Sequence, residues 1–177
     1  MQQHNGYSMN IFLVGFMASG KTTLGSQLGT LLGMRYVDMD DYIEQKNGDT
    51  IRKIFVTKGE AYFRNLEKIA LADLTKEDAV IVATGGGSAC FHNNIDEMNE
   101  HGLTVYLKVS TEELVKRLEA TKIDRPLLWG KSSNELTVYI TEMLKIREPF
   151  YSKAKVVVPS DNPLAEDIVD AIRYHLK

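Results

Sequence analysis

The chain has 177 residues, 44% of them hydrophobic and 25% charged, enough for one α/β domain with its own core and too little for a second full domain. Its net charge of -3 excludes a broad basic face, and with it a nucleic-acid binder of that kind, so any anion site must be locally basic. A lone cysteine, Cys90, excludes an internal disulfide and a cysteine-based zinc site, and the apolar runs are too short to cross a bilayer.

The polar, unpatterned segment from Met1 to Met9 has neither the basic nor the apolar region of a signal peptide and is expected to be a disordered tail. The rest, 10–177, is expected to fold as a single, soluble, cytoplasmic domain. Its first element is the apolar run Ile11 to Val14, a buried-type strand that ends at Gly15. Gly15, Gly20, Lys21 and Thr22 follow at the spacing of a phosphate-binding P-loop, and Leu24, Leu28, Leu31 and Leu32 continue with helical periodicity. Strand, tight loop and helix in that order are the context that separates a P-loop from a chance match. A triphosphate needs many donors at once, so Ala18, Ser19, Gly20, Lys21, Thr22 and Thr23 are expected to bind the nucleotide. Lys21 would sit between the β- and γ-phosphates, Thr22 would ligate Mg²⁺, and the helix would add its positive end.

A strand over Arg35 to Asp38 runs into the acidic stretch Asp38, Met39, Asp40, Asp41. The carboxyl edge of a parallel sheet forms the ligand crevice, which puts Asp38 and Asp40 beside the phosphate loop. Two residues apart in extended chain, they would point to the same side, one to hold Mg²⁺ and one to accept the proton of an attacking hydroxyl. Asp40 or Asp41 would equally serve to cap a helix over Tyr42 to Lys46, and spacing does not choose between the two.

Ile51 to Lys76 reads as helices broken at Lys58 and Gly59, with Ile51, Ile54, Phe55, Phe63, Leu66, Ile69 and Ala70 as the apolar faces. Arg64, flanked by Phe63 and Leu66, is either a solvated residue whose stem packs on its neighbours or a guanidinium fork for a carboxylate. Ala79 to Ala83 reads as a central parallel strand that discharges into Thr84 and the glycines 85–87. No aspartate stands at the end of this strand, which moves the metal-associated role to Asp38. The glycines would bring backbone donors close to a small substrate, or form a plain turn.

Helices are expected over Asn94 to His101, Thr111 to Ala120 with a Thr cap, Asn134 to Phe150, and about Pro163 to Leu176, the last with Leu164, Ile168, Ile172 and Leu176 on one face. Strands fall at Leu103 to Val109 and Lys155 to Val158. The basic, Pro- and Gly-punctuated segment of about 121–133, which carries Arg125, has the character of a lid or of an ordinary surface loop. The alternation predicts a three-layer α/β/α sandwich around a parallel sheet of about five strands.

Taken together, GFMASGKTTLG, VDMDDYIE, GEAYFR, VATGGGS, DRPLL and REPFY, in this order and spacing, resemble the shikimate kinases over nearly the whole chain. The resemblance implies a nucleoside-monophosphate-kinase-like fold with a mobile lid. It implies transfer of a phosphoryl group from ATP to the 3-hydroxyl of shikimate with Mg²⁺, in the route to chorismate and the aromatic amino acids. It makes Lys21, Asp40 and Arg125 catalytic, with Arg125 closing on the phosphates, and assigns the metal to Thr22 and Asp38. It assigns shikimate to Asp40, Arg64, Gly86 and Arg147, with Glu60 orienting the arginines and Phe55 and Phe63 walling the ring. Ala18 stands where many of these kinases have glycine. The loop Pro159 to Pro163 lacks the basic residues some carry on the adenine side, where Arg117 is a candidate or simply part of a solvated helix face. A gluconate kinase and a nucleotide-binding regulator are the alternatives; GEAYFR, the triple glycine and REPFY together favour shikimate. Shikimate and ATP are thus the expected partners, with no nucleic acid, no membrane, and a monomer as the default state.

Overall fold

The computed structural model describes residues 8–121 and 131–177. Strands β1 (Asn10–Val14), β2 (Arg35–Asp38), β3 (Val80–Ala83), β4 (Gly102–Lys108) and β5 (Val156–Pro159) form one sheet in the order β2-β3-β1-β4-β5, and every pairing is parallel. Helices α1 (Lys21–Leu32), α2 (Met39–Asn47), α3 (Ile51–Leu74), α4 (Asn94–His101), α5 (Thr111–Ala120), α6 (Ser133–Tyr151) and α7 (Ala165–His175) flank it, with a short 3-10 turn at Ser88–Cys90. The three-layer sandwich expected from the alternation is present.

The central strand shows why the apolar runs are continuous. Ile11 and Leu13 face one cluster with Leu28 of α1 and Ile168 and Ile172 of α7, whereas Phe12 and Val14 face another with Met39, Ile54 and Leu71. A strand covered on both faces has no polar side to alternate with. Phe12 is fully buried, and truncating it to alanine would cost about 3–5 kcal/mol. A smaller cluster of Phe16, Leu114, Leu118, Leu136 and Ile140 joins α5 and α6 beneath the loop that follows β1.

From β1 the chain crosses to β2 and β3 on one flank, and later to β4 on the other, so the order reverses at β1. Such a switch point opens a crevice at the carboxyl ends of the strands, where the P-loop lies. Helix α3 is interrupted at Gly59 (φ 81°, ψ 171°), the break expected from sequence.

Local expectations are corrected at several points. Helix α2 starts at Met39, and its cap is Asp38, whose carboxylate accepts from the backbone N–H groups of Asp40 and Asp41; neither of those residues is the cap. Ser110, not Thr111, caps α5. Leu31, Ile69, Leu164 and Leu176 are 42–59% exposed although the periodicity placed them on apolar faces. Leu164 and Leu176 are the cap residues that flank α7, and Leu31 and Ile69 lie within their helices on the side turned to solvent. Among the described residues, no helix is long and apolar enough to cross a membrane.

Candidate active site

The P-loop bends through two left-handed residues, Gly20 (φ 97°) and Ala18 (φ 62°). Glycine adopts this conformation freely, whereas at an alanine it costs about 1–2 kcal/mol. Lys21 is buried, and its ammonium donates back into the loop, to the carbonyls of Gly15 (2.8 Å) and Phe16 (2.7 Å) and to Ser19 Oγ (3.3 Å). Arg117 crosses from α5 to the same loop. It donates to the carbonyls of Ala18 (3.0 Å) and Asp161 and pairs with Glu113 at 2.9 Å. It is therefore a tie between the P-loop and the Pro159–Pro163 loop, not part of a solvated helix face. A cavity of about 650 Å³ between Gly20, Thr23, Arg117 and Pro163 lies beside it.

Thr22 Oγ1 donates to Asp38 Oδ2 at 2.8 Å, at an exposed position, while Asp38 Oδ1 holds the start of α2 through the Asp40 N–H at 3.0 Å. One carboxylate thus serves as helix cap with one oxygen and faces the phosphate loop with the other. A hydroxyl and a carboxylate are the hard oxygen donors that Mg²⁺ takes, so the pair fits that ion. Thr84, at the end of β3, donates its hydroxyl to the Leu13 carbonyl at 2.8 Å, and so is committed to the sheet.

Asp40 is the second residue of α2 rather than part of an extended chain, so only its N–H turns to Asp38 and its side chain takes its direction from the helix. It reaches the glycine loop. A β-carbon added at Gly85 would lie 3.2 Å from Asp40 Oδ1 and 2.5 Å from Glu67 Oε1, which brings the two carboxylates together on one side of that residue. Glu67 is fully buried, and Arg64 Nη1 donates to its Oε2 at 2.8 Å. Burial pushes the Glu67 carboxyl up to about 7, against the pull of the Arg64 charge. On the other edge of the guanidinium, Nε and Nη2 donate to Glu60 Oε1 at 3.2 and 2.8 Å. Burial works to lower the Arg64 pKa, but the charges and hydrogen bonds of Glu67 and Glu60 hold it above its ordinary value. The cation stays charged and clamped.

Arg147, near the end of α6, is also buried and donates to the Gly86 carbonyl at 3.3 Å, which takes a second, short hydrogen bond from Tyr151. The glycine loop is packed too closely for side chains: a β-carbon at Gly86 would lie 2.9 Å from the Met17 backbone nitrogen, and one at Gly87 2.8 Å from both Arg64 Nη atoms. This is a close-approach segment, not a plain turn. Phe55 and Phe63 pack with centroids 4.8 Å apart and form one wall. Cys90 lies beyond these groups; burial pushes its thiol up to about 11, which keeps it protonated and unreactive.

A cleft of about 810 Å³ collects most of the residues singled out from sequence: Ala18, Gly20, Lys21, Thr22 and Thr23 at one end, Arg64, Gly86 and Arg147 at the other, with Asp38, Asp40, Phe55 and Phe63 between. Ser19 is buried behind the loop, and Glu60 stands behind Arg64 without lining the cleft. Arg125 and most of the expected lid lie outside the described residues. Sequence reasoning missed Glu67 and Tyr151. The three-residue spacing from Arg64 to Glu67 on one helix was a readable signal for the first.

The shikimate kinase family model matches residues 17–177. The chain belongs to the shikimate kinase family. A shikimate kinase of Parabacteroides distasonis is 44% identical over 162 residues, covering 92% of this chain and 94% of that protein. The crystal structure of shikimate kinase from Bacteroides thetaiotaomicron aligns with a TM-score of 0.85 at 37% identity, over 94% of this chain and 95% of that one. Shikimate kinase from Acinetobacter baumannii in complex with shikimate aligns with a TM-score of 0.84 at 37% identity, over 96% and 93% of the two chains. As a member of the shikimate kinase family the chain is an ATP-dependent kinase, a phosphotransferase acting on a hydroxyl group.

Proposed function

We propose that the chain transfers the γ-phosphoryl group of ATP to the 3-hydroxyl of shikimate, giving shikimate 3-phosphate and ADP. The observation that carries this reading is the pair of buried arginines, Arg64 and Arg147, facing the same cleft as the P-loop, with the Asp40 carboxylate lining it as well. A small acid with ring hydroxyls suits that set of charges. Its carboxylate binds the two guanidiniums, its ring lies against Phe55 and Phe63, and a hydroxyl reaches Asp40. Asp40 takes the proton of that hydroxyl as it attacks, and Glu60 and Glu67 keep Arg64 in place.

On the donor side, the P-loop N–H groups and Lys21 bind the phosphates, Arg117 steadies the loop beside the adenine end, and Arg125 closes over the transferring group. Thr22 and Asp38 would hold Mg²⁺, which when bound neutralises charge on the β- and γ-phosphates. Phosphoryl transfer needs positioning and charge compensation more than covalent chemistry, and these residues supply cations, carboxylates and backbone donors. We further read the protein as a cytoplasmic monomer.

The test is a coupled assay of ADP release with ATP and Mg²⁺ and shikimate, gluconate or no acceptor at equal concentration. Turnover with shikimate alone is expected. Turnover with gluconate would overturn the substrate assignment, and ATP binding without turnover on either acid would make the protein a nucleotide-responsive regulator.

A further inference from the structure

Arg64 is enclosed on more sides than its two glutamates account for. The ring of Phe91 lies against the guanidinium with its centroid 4.3 Å from Cζ, closer than Phe63 at 5.4 Å. Phe91 itself is 37% exposed and does not line the cleft, so it covers Arg64 from behind. The turn that carries it is held by hydrogen bonds. Phe91 follows the 3-10 turn, its carbonyl accepts from the Asn94 N–H at 2.9 Å, and buried Asn94 returns a side-chain bond to the Ser88 carbonyl at 3.0 Å. His92 (φ 52°) and Asn93 (φ 59°) are both left-handed, which reverses the chain directly after the ring.

We propose that Phe91 is a positioning residue of the acceptor site, one that sets affinity for the substrate carboxylate by fixing the plane of the Arg64 guanidinium and shielding its rear face from water. The proposal rests on the reading of the cleft as a site for an acidic acceptor. Of the five N–H groups of an arginine, Glu60 takes two and Glu67 one, which leaves one on each terminal nitrogen for a ligand. Those carboxylates fix the edges of the fork but allow it to rock about the line joining them. A ring stacked on the face removes that motion, and in a partly desolvated place the cation–π contact strengthens while the guanidinium is kept from competing water. Phe91 touches no substrate; it acts through Arg64.

The test compares Phe91→Leu, which keeps an apolar cover without a π face, and Phe91→Trp, which keeps the π face, in the full chain. Steady-state kinetics are measured with shikimate and with its uncharged methyl ester, together with calorimetric titration of shikimate and a thermal melt as a check of folding. Phe91→Leu is expected to raise the shikimate KM and Kd about fivefold, with kcat within about twofold and the ATP KM unchanged, and Phe91→Trp to restore wild-type values. The ester, which cannot use the fork as an anion, is expected to show no such shift. Unaltered shikimate affinity in Phe91→Leu overturns the proposal, as does an equal loss on the ester, which would make the ring ordinary packing. If the wild-type protein phosphorylates gluconate and not shikimate, the substrate reading falls while the same Phe91→Leu comparison on gluconate still decides the role of the ring. Binding of neither acid by the wild-type protein overturns both.

Discussion

The two ends of the cleft are built differently. At the acceptor end Arg64 is held by two glutamates, Arg147 is tied to the Gly86 carbonyl, and both guanidiniums are buried before any ligand arrives. At the donor end the Lys21 ammonium is turned back onto its own loop, and Thr22 is bonded to Asp38 at an exposed position. The acceptor end is preorganised, so binding there costs little reordering. At the donor end a phosphate must take Lys21 away from carbonyls that already satisfy it. Recognition of the acid is stored in the fold, whereas donor-side charge compensation is assembled on binding.

Breaking the chemistry between the ends has the largest effect. Asp40→Asn is expected to lower kcat about 10³-fold, with shikimate affinity changed far less, in single-turnover kinetics. Next, Arg64→Ala removes a preorganised fork and leaves Glu67 buried without its cation. The shikimate KM should rise about 10²-fold while titration with a fluorescent ATP analogue shows the nucleotide still bound. Unchanged shikimate kinetics would remove Arg64 from the site.

A subtler cut tests how preorganised the acceptor end is. Glu67 has a folded-state pKa raised from 4.5 to about 7, chiefly by burial, with Arg64 and Arg147 opposing and Asp40 adding to the rise. The folded state therefore binds this proton more tightly than the unfolded chain. The stabilisation is fully present below about 4.5 and is lost as pH rises through about 7. Wild-type Tm should fall by several degrees between about pH 5 and pH 8, and Glu67→Gln should flatten that slope; equal slopes would contradict the assignment. The smallest expected effect is at the donor end. Ala18→Gly relieves the left-handed alanine and should raise stability by up to about 1 kcal/mol, read as a small rise in Tm with shikimate affinity unchanged.

The same contrast explains what the sequence made legible. The P-loop and the strands are written in contiguous residues, since buried parallel strands are apolar runs and a phosphate nest needs glycines at fixed spacing. The acceptor end is written across the chain. Arg64 could be read as solvated or as a fork until the burial of its neighbour Glu67 was known, and Tyr151 gains meaning only from meeting the Gly86 carbonyl. The acidic run after β2 was ambiguous for a different reason. Capping and chemistry use the same residue types, and the α2 start decided that Asp38 caps and Asp40 does not.

The contact between Gly86 and the Met17 backbone has a consequence for tolerance. With a would-be β-carbon only 2.9 Å from the Met17 nitrogen, the acceptor loop rests directly against the donor loop, main chain on main chain. That contact couples the position of one loop to the position of the other. A single methyl group at position 86 would press on the Met17 backbone and shift the very loop whose carbonyl holds Arg147 and Tyr151.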